Sequence, residues 1–265
     1  MRRTTATVTF LTALLGTATA CSSPGTPAST PTAREQLQAA AKAMELAGGA
    51  QLRIDQTWPG DAVQQVATVR WHPSLQAVFD GDNLRLVNGA AFQANRVAGK
   101  TWTRADGPAG LASNGHARGP DALPTALLKV YQRIDPAKGL ARAAAGSPSV
   151  VGQEEIQGTP TTHLHAQLAA ADYYTDPTEA AGSRRDELRA LLKKLGTTEV
   201  TADFWLDRDG RLLRRVETED STLGQVTTTT SFSRFGVPKE VTAPPADQVA
   251  DTSEVLDFIA AAQQP

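Results

Sequence analysis

The chain of 265 residues contains one cysteine, Cys21, and it stands ahead of everything that reads as a folded domain. No thiol follows it, so disulfides, cysteine-ligated metals and thiol nucleophiles are excluded from the rest of the chain. Whatever folds there must be held by core burial, and the remaining length of about 230 residues is enough for one sizeable core.

The surroundings of Cys21 account for its position. Arg2 and Arg3 form a positive start, Val8 to Leu15 a short apolar stretch, and Ala18-Thr19-Ala20 a run of small residues. This is the layout of a cleaved bacterial lipoprotein signal, and its apolar part is far short of the about 20 residues that a membrane span needs. The expected boundaries are 1–20 for the signal, 21–33 for a lipidated Ser/Thr/Pro tether and 34–265 for a single domain. On this reading the Cys21 sulfur carries a diacylglyceryl thioether, and the amine freed by cleavage accepts a further acyl chain of the palmitate class. Each buried methylene contributes about 0.8 kcal/mol, so two or three chains hold a protein durably on a membrane. The tether, extended, reaches about 35 Å. The expected location is the outer face of the cytoplasmic membrane.

Removing residues 1–20 takes away Arg2 and Arg3 and moves the formal net charge from −2 to −4. A mildly acidic chain excludes nucleic acid as the expected partner and leaves the lipid as the anchor.

Periodicity then divides the chain. Ala33 to Gly49 reads as a helix, with Leu37, Ala40, Ala41, Met44 and Ala47 at helical spacing before Gly48-Gly49. Short strands follow: 51–58, 63–71, 75–79, 84–87, 91–97 and 100–103, parted by turn signals such as Pro59-Gly60-Asp61 and Asp80-Gly81-Asp82. Pro120 to Ala145 is helical with a break near Asp135-Pro136, and Arg184 to Leu195 is a further helix. Strands are expected at 150–157, 161–168, 200–206, 211–219 and 225–235. In 161–168 and 200–206 the residues Leu164, Ala166, Leu168 and Val200, Ala202, Phe204 share one face, opposite to polar neighbours. Sheets with one apolar and one wet side, interleaved with a few helices, predict an α+β fold.

Candidate chemical sites are few. His163 and His165 share a strand face, but no third ligand is recognisable by spacing, so the expectation is a solvated polar face and no metal. Asp207-Arg208-Asp209-Gly210 opens like a calcium loop yet lacks the later ligands, and a hairpin turn is the expectation. Glu217 and Glu219 share a face about 7 Å apart, a spacing that could serve acid and base roles, but Arg215 beside them makes an exposed charge ladder the expected reading. No nucleophile elbow, zinc-protease helix or nucleotide-binding glycine motif is present, so neither catalytic residues nor a cofactor are expected.

The order of segments resembles the actinobacterial LppX/LprAFG-type lipoproteins and, more distantly, the LolA-like lipoprotein carriers. The resemblance rests on the N-terminal signal and on Gly99-Lys100-Thr101-Trp102-Thr103-Arg104, Gly158-Thr159-Pro160-Thr161-Thr162-His163 and Phe204-Trp205-Leu206-Asp207-Arg208-Asp209-Gly210-Arg211-Leu212. It continues through Phe232-Ser233-Arg234-Phe235-Gly236 and Thr242-Ala243-Pro244-Pro245-Ala246-Asp247, covering nearly the whole chain after the signal. It implies a curved antiparallel half-barrel sheet with helices packed on its concave face, and between them an apolar cavity for acyl chains. Leu52, Ile54, Val69, Trp71, Leu164, Ala166, Leu168, Val200, Ala202 and Phe204 are the expected lining. Singly, each reads as ordinary core; as a set, their Ala and Thr neighbours leave room for a cavity. The expected function is a non-enzymatic membrane-anchored binder or carrier of a lipid or acyl chain. The alternatives are a sensor lipoprotein that acts by contact with a membrane protein, and a surface hydrolase.

Overall fold

A computed structural model describes residues 30–97, 99–106, 133–174, 189–190, 192–222, 224–236 and 238–250, with positions 254 and 261. Cys21, the signal, the tether up to Ser29, the helical stretch 120–132 and half of the helix expected at 184–195 lie outside the described residues.

Helix α1 (Ala33–Ala47) begins where the Thr32 hydroxyl accepts from the Glu35 amide and the Glu35 carboxylate accepts from the Thr32 amide, a reciprocal capping box. It stops at Gly48, whose left-handed conformation (φ 71°) suits glycine best. Leu37, Ala40, Ala41 and Met44 form its buried stripe. The break expected near Asp135-Pro136 is the start of α2 (Pro136–Ala145), where Asp135 caps the Lys138 amide and Pro136 occupies the first turn. A one-turn helix, α3 (Ala170–Tyr174), continues the preceding strand and is not expected from periodicity.

The described residues form twelve strands: β1 (Gly49–Trp58), β2 (Asp61–Arg70), β3 (Gln76–Phe79), β4 (Leu84–Val87), β5 (Ala90–Val97), β6 (Lys100–Asp106), β7 (Ser149–Ile156), β8 (Thr159–Ala169), β9 (Glu199–Leu206), β10 (Leu212–Ser221), β11 (Gly224–Ser233) and β12 (Val249–Ala250). They make one open sheet in the order β12-β6-β5-β4-β3-β2-β1-β11-β10-β9-β8-β7. Every pairing is antiparallel except the two-residue β12 beside β6. Two meanders, β1–β6 and β7–β11, are thus sewn together by β1 against β11, in the register Leu52 to Phe232 and Ile54 to Thr230. A sheet this wide cannot be flat, since neighbouring strands rotate by about 20–25°. The arrangement is the expected α+β open half-barrel.

These three helices cover one face. α1 lies along α2, α2 and α3 touch β8, and Leu37, Met44, Leu140 and Tyr173 share one hydrophobic core with the inward residues of β1, β2, β8, β9 and β11. Trp71 joins the layers, its indole donating to the Met44 carbonyl at 2.6 Å.

The structure corrects the reading of β10. Arg215, Glu217 and Glu219 are not an exposed charge ladder: all three are buried on the helix-covered face, Arg215 completely. A register shift between Leu212 and Arg214 lets both Leu212 and Arg215 point inward, which turns the charged phase of the strand toward the helices.

Candidate functional site

All ten residues expected to line a cavity are buried in the largest hydrophobic cluster of the described residues. Register places them in two groups. Leu164, Ala166 and Leu168 on β8 stand opposite Phe204, Ala202 and Val200 on β9. Leu52 and Ile54 on β1, with Val69 on β2 and Trp71 just beyond it, form the other group. Between them run β10 and β11, whose inward residues are Arg215, Glu217 and Glu219 beside Thr228 and Thr230, with Leu212 and Phe232 apolar at one end. The covered face is therefore apolar, then polar, then apolar. Sequence reasoning found the two apolar patches and missed the polar strip.

The helical segments complete that strip. Arg133 sends its Nε to within 3.4 Å of the Glu217 carboxylate, and Arg215 Nε lies 3.5 Å from the same oxygen. Arg215 Nη2 donates to the Arg133 carbonyl at 2.9 Å. The Tyr173 hydroxyl donates to Glu217 at 2.5 Å and that of Tyr174 to Glu219 at 2.8 Å. Arg215 also needs Gly139 on α2, because a Cβ there would stand 2.7 Å from Arg215 Nη1. The visible signal was the alternation Arg215-Val216-Glu217-Thr218-Glu219, with charges on one face and Val and Thr on the other. Its partners, Arg133 and the Tyr173-Tyr174 pair, come from segments distant in sequence.

Charge states follow from the packing. Burial pushes the Glu217 carboxyl up, but the guanidinium groups of Arg215 and Arg133 and the Tyr173 hydrogen bond outweigh it and hold it below its ordinary value. Burial, aided by Glu217, drives the Tyr173 phenol far above its usual range, so it stays a neutral donor. Two arginines and two glutamates make the strip electrically neutral. Even so, among the described residues several polar atoms have no hydrogen-bond partner, namely Arg133 Nε, Arg215 Nε and Nη1, one Glu217 oxygen, and the hydroxyls of Thr228 and Thr230, although both Nε atoms keep their ion-pair contact with that Glu217 oxygen.

The other face of the same strands is organised differently. His163 lies between Glu154 at 2.7 Å and Asp203 at 2.9 Å, His165 contacts Asp203 at 3.0 Å, and the Trp205 indole donates to Glu154 at 2.8 Å. The His163 ring stacks on Trp205 at 4.3 Å, and Arg214 covers Trp205 at 5.1 Å. Among the described residues no group of three or more His, Cys, Asp or Glu side chains is arranged to hold a metal ion. Asp207 ties a hairpin turn, accepting from the amides of Asp209 and Arg211 at 2.9 and 2.8 Å, as expected for Asp207–Gly210. Next to it, a groove of about 720 Å³ is lined by Arg53, Asp207, Arg211, Arg214, Arg234 and Phe235. Arg53 there is paired with Asp55 and Arg211 with Asp207 and Asp209, so much of the groove's basic charge is already matched.

No family model matches the chain. Over 198 residues it is 28% identical to an uncharacterized 31.2 kDa protein of the rplA–rplJ intergenic region of Streptomyces griseus, covering 74% of this chain and 62% of that protein. The chain thus spans about 62% of the length of that relative. Among solved structures it is similar to the Mycobacterium tuberculosis lipoprotein LppX, with a TM-score of 0.46 and 14% identity over 79% of this chain and 97% of that one. It is also similar to LprF from Mycobacterium bovis, with a TM-score of 0.40 and 18% identity over 80% and 96% of the two chains. A LolA-superfamily protein from Nitrosomonas europaea is similar at a TM-score of 0.29 and 10% identity, over 80% and 96%. These are likenesses of fold alone.

Proposed function

We propose that the chain is a membrane-anchored, extracytoplasmic lipoprotein, held by acylated Cys21 and the tether 21–33, whose domain 34–265 binds or carries a lipid acyl chain without catalysing a reaction. The observation that supports this is the inner face of the sheet. Ten apolar residues chosen for a cavity lie on one face beneath helices that meet it largely through alanines: Ala40 and Ala41 of α1, and Ala137, Ala143 and Ala144 of α2. Small side chains between two layers bury little area per residue, and a hydrocarbon chain covers such a surface without needing a hydrogen bond.

Ala166→Trp tests the binding site. Ala166 is fully buried between Leu164 and Leu168. In a filled core the change would cost about 1–3 kcal/mol by overpacking. In an acyl site it leaves the melting temperature nearly level and lowers fluorescent fatty-acid binding, because the indole takes the ligand's place. A large loss of stability with no ligand bound by the parent would refute the carrier reading. The anchor is tested separately: Cys21→Ser removes the thiol, and the protein is expected to leave the membrane fraction. Full membrane retention of a correctly cleaved mutant would remove the lipoprotein reading.

A further inference from the structure

The groove beside Asp207 lies on the open face of the sheet. Its lining residues Arg53, Arg214, Thr229 and Ser231 alternate along their strands with Ile54, Arg215, Thr228 and Thr230, which are buried on the covered face. A volume of about 720 Å³ is that of a small-molecule site, for which about 300–1,000 Å³ is usual.

Four arginines line it against two acids, Glu155 and Asp207, on a chain whose formal net charge is −2. Asp55 matches Arg53, and Asp207 with Asp209 matches Arg211. Arg214 and Arg234 form no ion pair among the described residues. The Arg214 guanidinium lies over the Trp205 ring, and its buried Nε has no hydrogen-bond partner among the described residues. Arg234 and Gln157, both in the lining, have a left-handed backbone with φ 51° and 52°. That conformation suits glycine or asparagine and is disfavoured for other residues, and such outliers gather at binding sites. Two long polar side chains are thus held at the groove against backbone preference.

The donors set the chemistry of the occupant. Arg214 on β10 pairs with Ser231 on β11, and Ser231 pairs with Arg53 on β1, so a serine stands between two arginines and all three line the groove. Guanidinium groups from separate segments, with a hydroxyl between strands, suit a phosphate, whose oxygens point in three directions, better than a flat two-oxygen carboxylate. Ile156, Leu213 and Phe235 add an apolar wall that a bare phosphate ion leaves uncovered.

We propose that this groove binds a phosphate ester of small-molecule size, its phosphate on Arg214, Arg234 and Ser231 and its organic part on Leu213 and Phe235. The site stands apart from the covered face, and the inference is independent of the acyl-binding reading. The phosphate belongs either to a soluble ester or to a lipid head group, and the test separates the two.

The full chain is titrated by isothermal calorimetry with phenyl phosphate, inorganic phosphate, benzoate and dihexanoyl phosphatidic acid below its micellar concentration. The parent is expected to bind phenyl phosphate at least about tenfold more tightly than benzoate or inorganic phosphate. Arg214→Gln should weaken phenyl phosphate by at least about tenfold, the loss of hydrogen bonds from one charged donor. Arg234→Gly should weaken it comparably and leave the melting temperature level or higher, because glycine takes the left-handed backbone without strain. Arg234 is exposed, so this variant carries the test should Arg214→Gln fail to fold. Dihexanoyl phosphatidic acid bound more tightly than phenyl phosphate, and weakened in both variants, assigns the phosphate to a lipid head group; the reverse order assigns it to a soluble ester. Benzoate or inorganic phosphate bound as tightly as phenyl phosphate would overturn the inference. So would unchanged phenyl phosphate binding in Arg234→Gly, or no saturable binding of either ester at millimolar concentration. Tighter binding of a short polyglutamate peptide would overturn it in favour of an acidic protein partner.

Discussion

Strands β7 to β10 carry two clusters of polar and aromatic side chains, one on each face, and the two obey different physics. On the open face His163, His165, Glu154, Asp203 and Trp205 form hydrogen bonds of 2.7 to 3.0 Å. Solvent reaches that cluster, so its polar contacts are screened and each contributes little. On the covered face Arg133, Arg215, Glu217 and Glu219 are out of water, with ion-pair distances of 3.4 to 3.9 Å and several orphaned atoms. There each charge depends on its partner. A glutamate is thus surface decoration on one side and a structural commitment on the other.

The sharpest way to break this comparison is to remove one buried partner. Glu217→Ala leaves Arg215 without its carboxylate partner and Arg133 with only Glu219 at 3.9 Å, and is expected to cost about 3–5 kcal/mol in thermal or urea unfolding. The combined change Arg215→Met with Glu217→Leu should recover most of that loss, because a buried pair can often be replaced by apolar side chains of similar volume. A Glu217→Ala variant as stable as the parent would place this cluster in the same class as the surface one.

Acidity sharpens the contrast. Glu217 has a folded-state value below the ordinary carboxylate value of 4.5, so its contribution is complete above that pH and is lost as pH falls through the lower, folded value. The gap in melting temperature between the parent and Glu217→Gln should hold steady from neutral pH down to 4.5 and close below it. A gap that widens on acidification would reverse the assignment.

Gly139→Ala is expected to cost about 1–2 kcal/mol despite the better helix propensity of alanine, since the new Cβ must displace Arg215 Nη1 from 2.7 Å. With Arg215→Met as background the same substitution should turn neutral or stabilising. Differential scanning calorimetry of the four proteins gives the coupling directly.

The smallest effect belongs to the open face. His163→Ala with His165→Ala should cost within about 1 kcal/mol, mainly the lost stacking on Trp205. Zinc or chelator should leave the melting temperature of parent and mutant alike. A zinc-dependent shift in the parent that disappears in the double mutant would turn this cluster into a metal site.

Much of the fold is legible in the amino-acid sequence. Thr32 and Glu35 spell the start of α1, Gly48 its end, Asp135-Pro136 the start of α2, and Asp207–Gly210 a turn; each depends on neighbours within a few residues. Alternation in β8 and β9 names six inward residues correctly for the same local reason. The short α3 is not legible because five residues carry no helical period. The candidate site is half legible. Its apolar patches can be read from alternation, whereas alternation assigns its polar strip to solvent.

Sequence by itself determined which residues of β10 share a face: Arg215, Glu217 and Glu219 on one side, Val216 and Thr218 on the other, because strand periodicity is a property of the backbone. Only the tertiary structure decided which of the two faces is covered. A charged face points to water unless a counter-charge and hydrogen-bond donors meet it inside, and these come from Arg133, Tyr173 and Tyr174, which lie tens of residues away along the chain. The register shift at Leu212 and Arg214 and the missing side chain at Gly139 give the guanidinium its place beneath the helices, and both acquire that meaning only once α2 is packed against the sheet.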